Sequence, residues 1–85
     1  MSTAVMVDIL GWMGAVVILF AYAMVSFKKV EGDSILFQSL NIGASILLAI
    51  NTLYWRAYPS LALNAAWILM GLVALGRRHL SKKVA

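Results

Sequence analysis

No cysteine occurs among the 85 residues, which excludes a disulfide framework, a thiolate metal site and a cysteine nucleophile. Histidine occurs once, as His79 in a basic C-terminal segment, so no imidazole pair can hold a metal or relay protons. No metal or other cofactor is expected. Only three acidic residues are present, Asp8, Glu31 and Asp33, and charged residues of both signs make up 12% of the chain, against roughly a quarter in ordinary globular domains. Hydrophobic residues make up 64%. A soluble fold of this size cannot hide that much apolar surface. The solvent must be lipid.

Charge is also absent from three long stretches. The first runs from Ile9 to Phe27, the second from Ser34 to Trp55, and the third from Ala57 to Gly76, ahead of Arg77 and Arg78. Each approaches the roughly 20 residues that carry a helix across a hydrocarbon core of about 30 Å. Segments that span lipid must be helices or closed barrels, and apolar runs of this length are helices. The expected fold is therefore all-α, a single membrane domain with helices over about 9–27, 34–55 and 59–76, followed by a basic tail at 77–85. The stretch before the first span contains Asp8 and no Lys or Arg, so it lacks the basic segment of a cleaved signal peptide.

Short connections force neighbouring helices to run antiparallel. Lys28 to Asp33 joins the first two, with Gly32 suited to a tight turn and Asp33-Ser34 to an N-cap. Arg56-Ala57-Tyr58 joins the last two, and Pro59 falls in a first helical turn, where its missing N–H costs nothing. One face of the membrane then carries Arg56 alone, and the other carries Lys28, Lys29, Arg77, Arg78, Lys82 and Lys83. That bias places the N-terminus outside and the C-terminus in the cytoplasm. Trp12, Tyr54, Trp55 and Tyr58 fall near the outer interface, as belt aromatics do. The formal charge of +4 comes from these flanking clusters, which suit anionic lipid headgroups and not nucleic acid.

The absence of charge inside the spans removes the usual handle for ion coupling. Uncharged polar residues remain. Gln38, Asn41, Ser45 and Thr52 share one face of the second helix, with Asn51 to one side. The third helix carries Asn64 with Trp67 nearby, and the first carries Tyr22 and Ser26. Asn51 and Asn64 lie roughly 6 and 10 Å below the outer surface, similar enough in depth to meet. Gln38 and Asn41 lie in the inner half with Tyr22 and Ser26. Such amides either glue helices together or face a solute, and both readings stand. Gly11 and Ala15, Ser39 and Gly43, and Ala62 and Ala66 form small-residue pairs that let helices approach.

The runs Asp8-Ile9-Leu10-Gly11-Trp12-Met13-Gly14-Ala15, Gln38-Ser39-Leu40-Asn41, Asn51-Thr52-Leu53-Tyr54 and Tyr58-Pro59-Ser60-Leu61-Ala62-Leu63-Asn64-Ala65-Ala66-Trp67 resemble a family of small, uncharacterised bacterial three-helix membrane proteins. A more distant similarity, in helix count, size and an Asn on the third helix, is to the SemiSWEET half-transporters of the PQ-loop type. That resemblance implies a dimeric bundle around a cavity in the bacterial inner membrane, with Asn64 and Trp67 lining it. The first span departs from the pattern, because it lacks the hinge proline and following Gln. Two functions are carried forward. One is a dimeric facilitator for a small uncharged or zwitterionic solute, lined by Asn64, Asn51, Asn41 and Trp67, with Gln38, Tyr22 and Ser26 as a second polar cluster. The other is a non-transporting accessory or scaffold protein. Catalysis is not expected, since no titratable groups converge.

Overall fold

The computed structural model describes residues 2–32 and 34–84, without the side chains of 81–84. The chain forms three helices, α1 (Thr3–Ser26), α2 (Ile35–Tyr54) and α3 (Tyr58–Val84). All three are long and apolar enough to cross a membrane, α3 over Tyr58–Leu80. The helices outrun the uncharged stretches at two ends. Ser2 accepts from the Val5 amide at 3.2 Å and starts α1 six residues before Ile9, which puts Asp8 inside the helix. Past Gly76, α3 continues through Arg77 and Arg78, because Arg, Leu and Lys are strong helix formers. An apolar run measures the span, not the helix.

Two corners reverse the chain, and both use the same device. At the end of α1, Lys28 N–H donates to Val25 O and Lys29 N–H to Met24 O at 2.8 Å. At the end of α2, Arg56 N–H donates to Leu53 O and Ala57 N–H to Thr52 O at 2.8 Å. These are Schellman pairs, which satisfy the last carbonyls of a helix by putting one residue in the left-handed region. Glycine usually fills that position. Here Lys28 (φ 59°) and Arg56 (φ 55°) fill it, each bringing a positive charge to the negative end of a helix. The expected turn glycine, Gly32, has no positive φ. Ser34 caps α2 by accepting from Phe37 N–H at 3.1 Å. The capping role expected of Asp33 and the side chains of Lys82 and Lys83 lie outside the described residues.

α2 is the middle of the molecule. α1 packs on one side of it and α3 on the other, and nowhere among the described residues do α1 and α3 approach within 8 Å, Cα to Cα. The α1–α2 seam runs along Val7, Gly11, Gly14 and Ala21, all buried, at spacings of four, three and seven that keep them on one face. A Cβ on Gly14 would lie 2.8 Å from the Ala44 carbonyl oxygen, so the helices meet there nearly backbone to backbone. On α3, a Cβ on Gly71 would instead meet side chains of α2, Ile42 Cγ1 at 2.7 Å and Gln38 Oε1 at 3.2 Å. Gly43 has nothing within 4 Å, and Ala62 and Ala66 are exposed. Those two small-residue pairs therefore face outward.

The molecule is inside out by soluble standards. Among the described residues the buried hydrophobic side chains are only Val7, Ala21 and Ala44, while large ones such as Leu19, Phe20 and Leu72 are more than half exposed. Small residues at the contacts and large apolar ones outside are what lipid selects, since hydrocarbon offers no hydrophobic drive between helices.

Candidate functional site

Because the α1 and α3 backbones sit on either side of α2 and stay more than 8 Å apart, Cα to Cα, among the described residues, a groove opens between them. Its volume is about 620 Å³, and it is lined from all three helices, by Tyr22 of α1, Phe37, Gln38 and Asn41 of α2, and Trp67 and Met70 of α3 among others. The α2 residues reach it because Phe37, Gln38 and Asn41 fall on neighbouring positions of one helical face. Met70, Gly71 and Ala74 follow Trp67 by three, four and seven residues, which puts them on the same side of α3.

The polar groups in this groove are few and incompletely matched. Gln38 donates its Nε2 hydrogen to the Gly32 carbonyl at 2.8 Å, tying α2 to the corner before it. Its Oε1 is buried and has no hydrogen-bond partner among the described residues. Asn41 is half-buried. Two amides in an apolar wall, one with an open acceptor, make an expensive arrangement for lipid unless something pairs with them. No Asp, Glu, His, Lys or Arg lines the groove.

The other sequence candidates divide differently. Asn51 is not in this groove. It turns to α1, where its Nδ2 donates to the Val7 carbonyl at 3.0 Å across the seam, directly over Gly11. Asn51 and Asn64 are close in depth but are not brought together. The Asn51 amide is engaged with α1, and Asn64 sits on α3, whose backbone stays more than 8 Å from that of α1, Cα to Cα, among the described residues. Asn64 is half-buried and does not line the groove. Thr52 donates back to its own helix, at 2.9 Å to Leu48 O. Ser45 is fully buried with no partner for its hydroxyl among the described residues. Ser26 ends α1 on the surface.

At the opposite end of the seam Trp55 donates its Nε1 hydrogen to Asp8 Oδ1 at 2.7 Å. Tyr54 meets the Trp55 ring edge-on, 5.0 Å between centroids. The belt aromatics Tyr54 and Trp55 thus cluster at one end with Asp8, as their positions implied. A shallower pocket of about 320 Å³ lies beside them, lined by Asp8, Gly11, Trp12 and Asn51 among others. Sequence reading missed the Asp8–Trp55 bond and the apolar groove wall of Ile18, Phe37 and Met70. No signal marks the wall, because its residues look like any lipid-facing ones. Asp8 offered a weak one, as the only acid with no basic neighbour in its segment.

A family model matches residues 7–83, and the chain belongs to that family, whose function is unknown. No curated protein and no solved structure matches the chain.

Proposed function

We propose that the chain is a half-transporter, a facilitator for a small uncharged or zwitterionic solute, and that two copies assemble with their α1–α3 grooves facing each other. The groove carries this reading. A concave, mostly apolar wall with a few placed polar groups is the usual composition of a small-molecule site. Gln38 Oε1 offers an acceptor and Asn41 offers both a donor and an acceptor, while Tyr22 and Trp67 supply flat walls with polar edges. Three helices in a row leave the groove open along one side, so a second copy is needed to close it. The site differs from the one expected from sequence, because Gln38 and Tyr22 replace Asn51 and Asn64.

With no ionisable carboxylate or base in the groove, passage follows the solute gradient and is not coupled to protons or sodium. The test is uptake of a panel of neutral and zwitterionic solutes into proteoliposomes, with native mass spectrometry in parallel. A dimer that takes up solute, resists a protonophore and loses uptake about tenfold in Gln38→Leu or Asn41→Leu supports the reading. A monomer at every workable concentration would sink it, since one copy leaves the groove filled by lipid. The accessory-protein reading is favoured by one observation, the Asn51–Val7 bond, where an amide does act as glue. It predicts dimers or hetero-complexes that weaken in Gln38→Leu without any uptake to lose.

A further inference from the structure

We propose that the Asp8 end of the α1–α2 seam binds a primary ammonium group. This site is separate from the groove and does not depend on the transport reading. Its chemistry follows from a count of donors and acceptors. Asn51 faces the Val7 carbonyl, an acceptor, so its NH₂ must point there and its Oδ1 must be the free end. Trp55 Nε1 has one hydrogen and gives it to Asp8 Oδ1, leaving Asp8 Oδ2 unused. Neither Asp8 Oδ2 nor Asn51 Oδ1 takes part in a hydrogen bond among the described residues.

The pocket that these two residues share therefore holds two free acceptors, while its free side-chain donors are the Trp12 indole N–H and the second hydrogen of the Asn51 amide. One acceptor carries a full negative charge. Trp12, 74% exposed, forms another wall, and an indole face attracts a cation. A ligand suited to this place carries positive charge and two or three N–H donors. Helix electrostatics agree on both sides. Asp8 is the sixth residue of α1, past the first turn where the helix's positive end acts, and Asn51 lies in the last turn of α2, at its negative end. A metal ion is a poorer fit, because no group of three His, Cys, Asp or Glu occurs among the described residues.

The ammonium can belong to a phosphatidylethanolamine headgroup or to a free amine, and two measurements separate them. The full chain is placed in nanodiscs of equimolar phosphatidylethanolamine and phosphatidylcholine, which differ in N–H donors and share their phosphate. Native mass spectrometry then reads which lipid stays bound. In parallel, ethanolamine is titrated in detergent against tryptophan fluorescence. Retention of phosphatidylethanolamine about tenfold over phosphatidylcholine, lost in Asp8→Asn and in Trp12→Leu, identifies the headgroup. Saturable quenching by ethanolamine that Asp8→Asn abolishes, with no lipid preference, identifies a free amine. Asp8→Asn keeps an oxygen for Trp55, and Trp12→Leu leaves the net charge unchanged, so neither loss reduces to misfolding or to bulk charge. Equal retention of the two lipids together with an ethanolamine response identical in Asp8→Asn overturns the site.

Discussion

Gly14→Ala should destabilise the fold, although alanine is the better helix former. The added Cβ would sit 2.8 Å from the Ala44 carbonyl oxygen and 3.1 Å from Leu47 Cβ and Leu48 Cγ. A carbon and a carbonyl oxygen settle at about 3.3–3.6 Å, so the helices must part by at least roughly 0.5 Å. Ala44 O belongs to a helical backbone and cannot rotate aside. A gap of that size forfeits a quarter to a half of the dispersion energy along the opened stretch. Overpacking of this kind costs about 1–3 kcal/mol, against a helix-propensity gain of up to about 1 kcal/mol. The control is Gly43→Ala, where nothing lies within 4 Å and only the gain operates. The two variants should differ by about 2 kcal/mol in SDS-driven unfolding from mixed micelles, followed by tryptophan fluorescence. Gly14→Ala as stable as Gly43→Ala would mean that the close α1–α2 approach does not exist.

Gly11→Ala should fall between those two, because its obstacle is the Asn51 side chain, which can swing away at the cost of its bond to Val7, about 0.6 kcal/mol. Arg56→Gly should raise stability by about 1 kcal/mol by removing a left-handed arginine, and Arg56→Val should lower it; the same unfolding assay reads both. Asn64→Leu should change stability by less than about 0.5 kcal/mol, since the groove and the α1–α2 seam both form without it. The chain's lack of cysteine makes a topology test clean. Ser2→Cys and Ala57→Cys should react with an impermeant maleimide added outside intact cells and Gly32→Cys should not, and the reverse pattern would refute the orientation read from the basic residues.

The helix count and the small-residue contacts on α1 were legible in the sequence because both depend on local pattern. A charge-free run of about 20 residues has one stable form in lipid, and Gly11 and Gly14 announce a close approach wherever the partner is. What was not legible is which helix stands between the other two. Short connections make neighbours antiparallel, but they do not say whether α3 returns to touch α1. That choice decided the fate of the amides. With α2 central, Asn51 meets α1 and Asn64 stays with α3, so residues matched in depth are separated in plan. Asn41, expected on the path from the start, and Gln38, read with Tyr22 and Ser26 as the second cluster, become the polar part of the groove.

The amides in this chain differ less in chemistry than in what remains unused after folding. Asn51 gives one amide hydrogen to a carbonyl that cannot move, and its oxygen is left facing Asp8 and Trp12. Gln38 likewise gives one amide hydrogen to Gly32 and leaves Oε1 buried beside Gly71. In each case a backbone carbonyl fixes the orientation of the amide, so the acceptor is presented without rotational freedom. Pre-organised acceptors in an apolar setting select for N–H and O–H donors. The two sites should then report through different measurements on one exchange at each, Asn51→Asp and Gln38→Glu. At the seam, Asp removes the donor to Val7 and adds a second carboxylate beside Asp8, which should loosen α1 from α2 and lower stability by about 1–3 kcal/mol. At the groove, Glu removes the tie to Gly32 and places an ionisable group in an apolar wall. Its uptake should become pH-dependent where the parent's is flat. Flat uptake in Gln38→Glu, with the protein folded and dimeric, would show that the solute does not pass Gln38.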